Sequence, residues 1–258
     1  MVVVAAKDFD PNTDLNNTMY MVQCSQNNGV LFDTLSSGYF FQEAINMLQQ
    51  NGLANISNIS IIASHEHQDH VGGLAAIPNM EKLRDSRLIA HKNNNALKQV
   101  HVSVGGTLAY NCGNATINLF HTQGHTTAGV MACTGSYCLT GDECEDSVPF
   151  IAQASSLDSQ VRGLARSIDI MRRLNVTKVP QAHGNMHAIA SGNLGLQVCE
   201  SNLAYKKKMA NELATLCPQN SDISLKQLAK EINRDEADIT KEYYEVHKGN
   251  CDSVKKAR

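Results

Sequence analysis

The chain has 258 residues, 42% hydrophobic and 18% charged, with 22 basic side chains against 25 acidic. That length buries a sizeable core, as one large domain or a domain with an appendage, and a formal charge of -3 argues against a broad polyanion-binding surface. No apolar run reaches the ~18 residues a membrane span requires, and the opening MVVVAAKDFD lacks the basic start and long apolar stretch of a signal peptide.

In chain order, MVVVAA and MYMVQC are short β-branched or aromatic runs that predict two strands, and the turn signal SQNNG leads into a third, GVLFD. YFFQEAINMLQQNG then sets Phe41, Ala44, Ile45 and Leu48 at helical spacing, with Gly52 where a helix end turns left-handed. ISIIAS reads as a buried strand running into HEHQDH, and VGGLAAI after it predicts a bend into helix. Further strands are expected at RLIAH, ATINLFH, GVMAC, YCLTG and TKVPQAH. Before the last of these, LDSQVRGLARSIDIMRRLN puts Val161, Leu164, Ala165, Ile168, Met171 and Leu174 on one helical face. From about residue 193 the strand signal stops, and LGLQVCESNLAYKKKMANELATLC, SLKQLAKEI and EADITKEYYEV all read as helix. The prediction is an α/β layered domain over residues 1–190 with a C-terminal helical extension over 191–258.

The eight cysteines include several in turn-like settings, QCSQNNG, NCGN, LCPQN and GNCDS, and none shows C-x-x-C spacing. An even count in loops suits disulfides in an oxidising compartment, and Cys133 and Cys138 flank TGSY, facing each other across an expected hairpin. Asn16, Asn55, Asn58, Asn114 and Asn175 each head an N-x-[ST] sequon. These features favour the secretory pathway, with a reducing cytoplasm as the alternative.

The segment SHEHQDHVGG, residues 64 to 73, concentrates the chemistry. In an extended strand end, residues two apart face the same side, so His65 and His67 project two imidazoles at one point, while Asp69 and His70 point elsewhere. Neutral imidazole and carboxylate are ligands for zinc and other first-row divalent metals. A metal needs about four ligands, and His125, Asp142 and His183 each follow another expected strand. Rigid strand ends can aim such side chains into one cleft.

SHEHQDHVGG, HTQGHTTAG, LTGDE and VPQAHG resemble the second to fifth motifs of the metallo-β-lactamase-fold superfamily, in the family's order, and VLFDTLSSG resembles its first. The likeness covers roughly residues 15 to 190. It implies a four-layer αββα sandwich with the site at one edge of two sheets. By position, His65, His67 and His125 would hold a first metal ion and Asp69, His70 and His183 a second, with Asp142 bridging. Asp33 would support the ligand loop, and Asp69 would also accept a proton, which makes these two the catalytic candidates. Two places depart from the family's pattern. Asp33-Thr34 is followed by LSSG rather than glycine, and Gln181-Ala182 precede His183 where Pro-Gly is common.

Two adjacent divalent ions, most simply zinc with iron or manganese as alternatives, lower the pKa of a shared water, and the resulting hydroxide attacks an electrophilic carbonyl or phosphorus. The bridging aspartate and the stretch GDECEDSVPF are similar to the glyoxalase II and lactonase branch. The expected reaction is therefore hydrolysis of an ester, thioester or lactone in a small-molecule substrate. Phosphodiester or RNA cleavage ranks second, then β-lactam hydrolysis or an iron-dependent thiol dioxygenase, and last a non-enzymatic binding module. No membrane partner is expected and nucleic acid is disfavoured. The oligomeric state is open. His91, His101 and His247 read as surface or core histidines, whereas His121 and His187 are candidates to line the site. Cys144 reads as a buried structural thiol two residues after Asp142, and the YKKKM cluster, Lys206 to Lys208, as a solvated helix face.

Overall fold

The computed structural model describes residues 2–8, 16–50, 55–97, 99–145, 148–151, 155–184, 195–219 and 222–256, with 2–8 by backbone alone. Gly52 and His187 lie outside the described residues. Strands β1 (Val2–Asp8), β2 (Asn17–Gln23), β3 (Asn28–Phe32), β4 (Asn58–Ile62), β5 (Arg87–Ala90) and β6 (Val102–Ser103) form a six-stranded sheet in sequence order. The first three run antiparallel, and β3 to β6 are mutually parallel. Strands β7 (Thr107–Cys112), β8 (Ala115–Thr122), β9 (Gly129–Thr134) and β10 (Tyr137–Leu139) make a four-stranded antiparallel sheet.

Side-chain alternation along the strands builds the layers. Tyr20, Val22, Val30, Phe32 and Ile62 face Ile117, Leu119, Val130 and Ala132 of the second sheet, forming the core between the sheets. Met19, Met21, Leu31 and Ile61 point the other way. They pack on Phe41, Ala44, Ile45 and Leu48 of helix α1 (Gly38–Gln50), the stripe its periodicity predicts. The outer face of the second sheet, through Met131 and Cys133, receives Leu164, Ile168 and Met171 of helix α3 (Leu157–Arg173). The order is helix, sheet, sheet, helix, as expected.

Three local expectations change. TKVPQAH forms no strand, only isolated bridges of Lys178 with Tyr137 and of His183 with Asn17, since Pro180 lacks the N–H a ladder requires. The short β6 and the outer strand β7 were not foreseen. The buried side of α3 is also rotated: Gln160, Gly163 and Ser167 join Leu164, Ile168 and Met171, while Val161, Ala165 and Leu174 sit at its margin.

Beyond these layers, helices α4 (Gln197–Asn211), α5 (Leu213–Leu216), α6 (Leu225–Glu231) and α7 (Lys241–Lys256) surround a separate apolar cluster with Tyr205, Leu228, Tyr243 and Val254. Val148 and Ile151, from the loop after β10, insert into that cluster. All eight cysteines are paired, as Cys24–Cys112, Cys133–Cys138, Cys144–Cys199 and Cys217–Cys251. The hairpin pair Cys133–Cys138 is the one its spacing suggested. No described helix is long and apolar enough to cross a membrane.

Candidate metal centre

Parallel strands direct their C-terminal loops to one edge of a sheet, the usual place for a site in an open α/β layer. Asp33 directly follows β3 and His65 lies three residues beyond the end of β4, and the second sheet delivers His125 from the β8–β9 loop and Asp142 from a 3-10 turn, Gly141–Glu143, after β10. The Val130 N–H donates to the Ser64 carbonyl at 2.7 Å, joining the two sheets beside the ligand loop. The extended chain carries His65 and His67, then turns into the short helix α2 (Gln68–Val71), which aims Asp69 and His70 into a neighbouring space. His183 is placed by its bridge to Asn17 and by the Thr18 N–H donating to the Ala182 carbonyl at 2.8 Å.

All seven predicted residues converge. Ligand atoms of His65, His67, His125 and Asp142 lie within 4.8 Å of one another, as do those of Asp69, His70, Asp142 and His183. Asp142 belongs to both groups, one oxygen to each. Its Oδ2 is 3.6 Å from His65 Nε2 and 3.5 Å from His125 Nε2, while its Oδ1 is 3.1 Å from His70 Nε2 and 3.3 Å from His183 Nε2. Asp69 Oδ2 lies 3.2 Å from His183 Nε2, and His67 Nδ1 lies 3.1 Å from His125 Nε2. Gly141 holds this turn with φ of +54°, and a Cβ there would stand 2.7 Å from the Ser64 Cβ. Glycine is thus required both for the backbone and for the close approach of the Asp142 turn to the histidine loop.

The residues fit divalent metal ions. Nε2 of His65 and of His70 and Oδ1 of Asp142 are buried without completing a hydrogen bond, a costly arrangement for groups with no further partner. Five imidazoles and two carboxylates suit a borderline ion such as zinc. Burial drives the His65 imidazole well down and His125 to about 3, against the pull of Asp142, so both are held in the neutral form that a ligand needs. Burial opposes charge at His70 too, but Asp142 and Asp33 overcome it and hold the ring well up.

The ligands are oriented from behind. Asp33 is fully buried and accepts from His70 Nδ1 at 2.8 Å, from the Ser64 N–H at 2.7 Å and from Ser64 Oγ at 2.8 Å. Its contacts are with Ser64 and His70 rather than with the solvent side, a placement suited to positioning. His183 Nδ1 donates to the Asn16 carbonyl at 3.0 Å, leaving Nε2 for the cleft. Asp69, its side chain 42% exposed, lies at the open mouth, and the Asn17 side chain donates to its carbonyl.

Sequence reasoning missed a second tier. Glu143 accepts from the His125 N–H at 3.0 Å and from Ser167 Oγ of α3 at 3.3 Å. Glu145 Oε1 stands 3.7 Å from His125 Nδ1, and burial together with nearby Asp142 pushes its carboxyl up to about 8. Lys206 of α4 faces these acids electrostatically and is fully buried. This corrects the solvated reading of YKKKM, because successive helical residues are ~100° apart. Lys207 is exposed and Lys208 pairs with Glu231 at 2.6 Å. The alternating acids of GDECED were the available signal for Glu143 and Glu145.

The other described histidines stay outside both groups. His91 and His121 stack on each other at 3.9 Å, and His121 Nε2 donates to the Thr127 carbonyl. His247 shares a hydrogen bond with Tyr205 at 2.9 Å. It also adjoins Cys217 and Cys251, but those sulfurs are spent in a disulfide. Cys144 is likewise disulfide-bonded to Cys199.

A sequence model of the Metallo-beta-lactamase superfamily matches residues 12–81, which include Asp33 and the His65–His70 segment. No curated protein matches the sequence. Among solved structures, a metallo-beta-lactamase from Pontibacter korlensis is similar at 14% identity and TM-score 0.65, covering 80% of this chain and 94% of that one. ETHE1 from Myxococcus xanthus is similar at 15% identity and TM-score 0.55, covering 81% and 91%. The stereoselective inverting sec-alkylsulfatase Pisa1 from a Pseudomonas species is similar at 12% identity and TM-score 0.64, across 98% of this chain but 50% of that one. The histidine loop thus lies in a stretch that matches the family model in sequence, the two sheets between helices have counterparts in shape, and this chain has the metallo-beta-lactamase fold.

Proposed function

We propose that the protein is a binuclear metal-dependent hydrolase acting on an ester, thioester or lactone carbonyl, with two divalent ions, most simply zinc. The observation that carries this reading is the division of Asp142, one oxygen toward each ligand group. His65, His67 and His125 would hold one ion and Asp69, His70 and His183 the other. When bound, such ions acidify water and polarise the substrate oxygen. Around them, Asp33 and the Asn16 carbonyl fix the ring faces of His70 and His183. Asp69 is the carboxylate at the open mouth, placed to hold a proton during the reaction. Elemental analysis of purified protein, with a panel of thioester, lactone, β-lactam and phosphodiester substrates, tests the proposal. Absence of stoichiometric metal, or turnover confined to phosphodiesters, would overturn it.

A second reading, hydrolysis of an alkyl sulfate, is favoured by one observation: the likeness to the alkylsulfatase runs through 98% of the chain, including its C-terminal helices. Sulfate release from a secondary alkyl sulfate, added to the same panel, separates the two. We further infer that residues 1–190 form the catalytic unit and 191–258 an appended helical one. The pairing of all eight cysteines supports work in an oxidising compartment.

A further inference from the structure

Among the described residues, three large hydrophobic side chains are exposed: Tyr39, Met47 and Phe150. Tyr39 and Met47 belong to α1, whereas Phe150 stands beside the candidate metal centre, its ring centroid 6.3 Å from that of His125. A single exposed aromatic is ordinary on a protein surface. This one is distinguished by how it is held.

The Phe150 N–H donates to both carboxylate oxygens of Glu145 at 3.1 Å, the same carboxylate that approaches the far side of His125. The preceding carbonyl, of Pro149, accepts from Asn250 Nδ2 at 2.9 Å, and the following N–H, of Ile151, donates to Asn250 Oδ1 at 2.8 Å. One fully buried amide from α7 thus clamps the backbone on either side of Phe150. Val148 and Ile151 are sunk in the apolar cluster of the C-terminal helices. The segment is anchored at both flanks, and of residues 148–151 Phe150 alone is exposed, at 45%, next to His125. Pockets that bind small molecules combine rigid apolar walls with a few fixed polar groups.

We propose that Phe150 is the apolar wall of the substrate site on the His125 side, positioned by Asn250 and Glu145, and that the substrate carries an alkyl or aryl group against it. The C-terminal helices thereby become part of the substrate site. The proposal rests on the reading of the metal centre as a substrate site, and it adds the chemical class of the group that flanks the reacting bond.

The test uses the whole, metal-loaded protein and two homologous series. Calorimetric binding of acetate, butanoate, hexanoate and octanoate reads the wall without turnover, and hydrolysis of p-nitrophenyl esters of the same acids reads it with turnover. The expected result is tighter binding by about two- to fourfold per added methylene, since a fully buried methylene contributes at most about fourfold. Phe150→Ala and Phe150→Ser should flatten that slope at unchanged metal content, and Phe150→Leu should keep most of it. Affinity independent of chain length in the unaltered protein, or an undiminished slope in Phe150→Ala, overturns the proposal. Ester turnover with no chain-length dependence would leave the reaction standing and remove the wall. A slope in carboxylate binding that is lost in Phe150→Ala, with no ester turned over, would leave the wall and remove the reaction.

Discussion

His70 and Asp33 meet at 2.8 Å inside the protein, with His70 Nδ1 donating to Oδ2 of a carboxylate that solvent does not reach. That bond fixes the tautomer and leaves Nε2 of His70 aimed at Asp142. Partners of this kind set ring orientation and ligand basicity, and losing one costs about 10- to 100-fold in metal affinity. Asp33→Asn keeps the shape but removes the charge and one acceptor, while Ser64 still needs both oxygens. Competition titration against a metal chelator should show affinity reduced within that range, with the far-ultraviolet circular dichroism unchanged. An unaltered affinity would refute the positioning role.

Asp142 is the one residue common to both ligand groups. Asp142→Ala should therefore lose at least one equivalent of metal and most of the proposed hydrolytic activity, and chelation of the unaltered protein should abolish that proposed activity. Elemental analysis of the folded variant decides the point, and unchanged stoichiometry would refute the bridge.

Helix α3 approaches the His125 loop so closely that a Cβ on Gly163 would lie 2.5 Å from the backbone nitrogen of Gly124. In an open helix interior, glycine to alanine gains about 1 kcal/mol. Here the neighbour is backbone and cannot turn aside, and overpacking of this kind costs about 1–3 kcal/mol. Gly163→Ala should therefore lower the melting temperature and disturb metal retention, because the displaced loop carries His125. A rise in melting temperature would show that the contact is looser than described.

The candidate ligands and the layers were legible because each leaves a local signature. β-branched runs mark the strands, and His65 to His70 packs four candidate ligands into six positions. What was not legible depends on partners distant in sequence. β7 alternates exposed and half-buried residues, so it shows no apolar run. Lys206 looks like its neighbours Lys207 and Lys208 in sequence, and only the packing of α4 against the Asp142 loop turns it inward. The polar stripe of Gln160, Gly163 and Ser167 on α3 breaks the apolar pattern because Ser167 serves Glu143 and Gly163 admits the His125 loop. Phe150 gave no signal at all, since its exposure follows from a clamp supplied by Asn250, a hundred positions later.

Cys144, two residues beyond Asp142, is joined to Cys199 of α4 across 55 positions. In the chain-entropy model, closing a loop of that size stabilises the fold by about 4 kcal/mol. The same helix holds the next residue, with Asn202 Oδ1 accepting from the Glu145 N–H at 2.8 Å, so the disulfide and this hydrogen bond together brace the Asp142 turn. Replacing both cysteines by alanine should destabilise the protein by up to that amount, read as a lower denaturant midpoint. It should also speed loss of metal to a chelator, because Asp142 is then held from one side less. Thiol titration of the denatured, unreduced native protein provides the independent check: no free thiol should be found among the eight cysteines. Two or more titrating thiols, with an unchanged midpoint in the double variant, would mean that the turn is held by Asn202 and by packing alone.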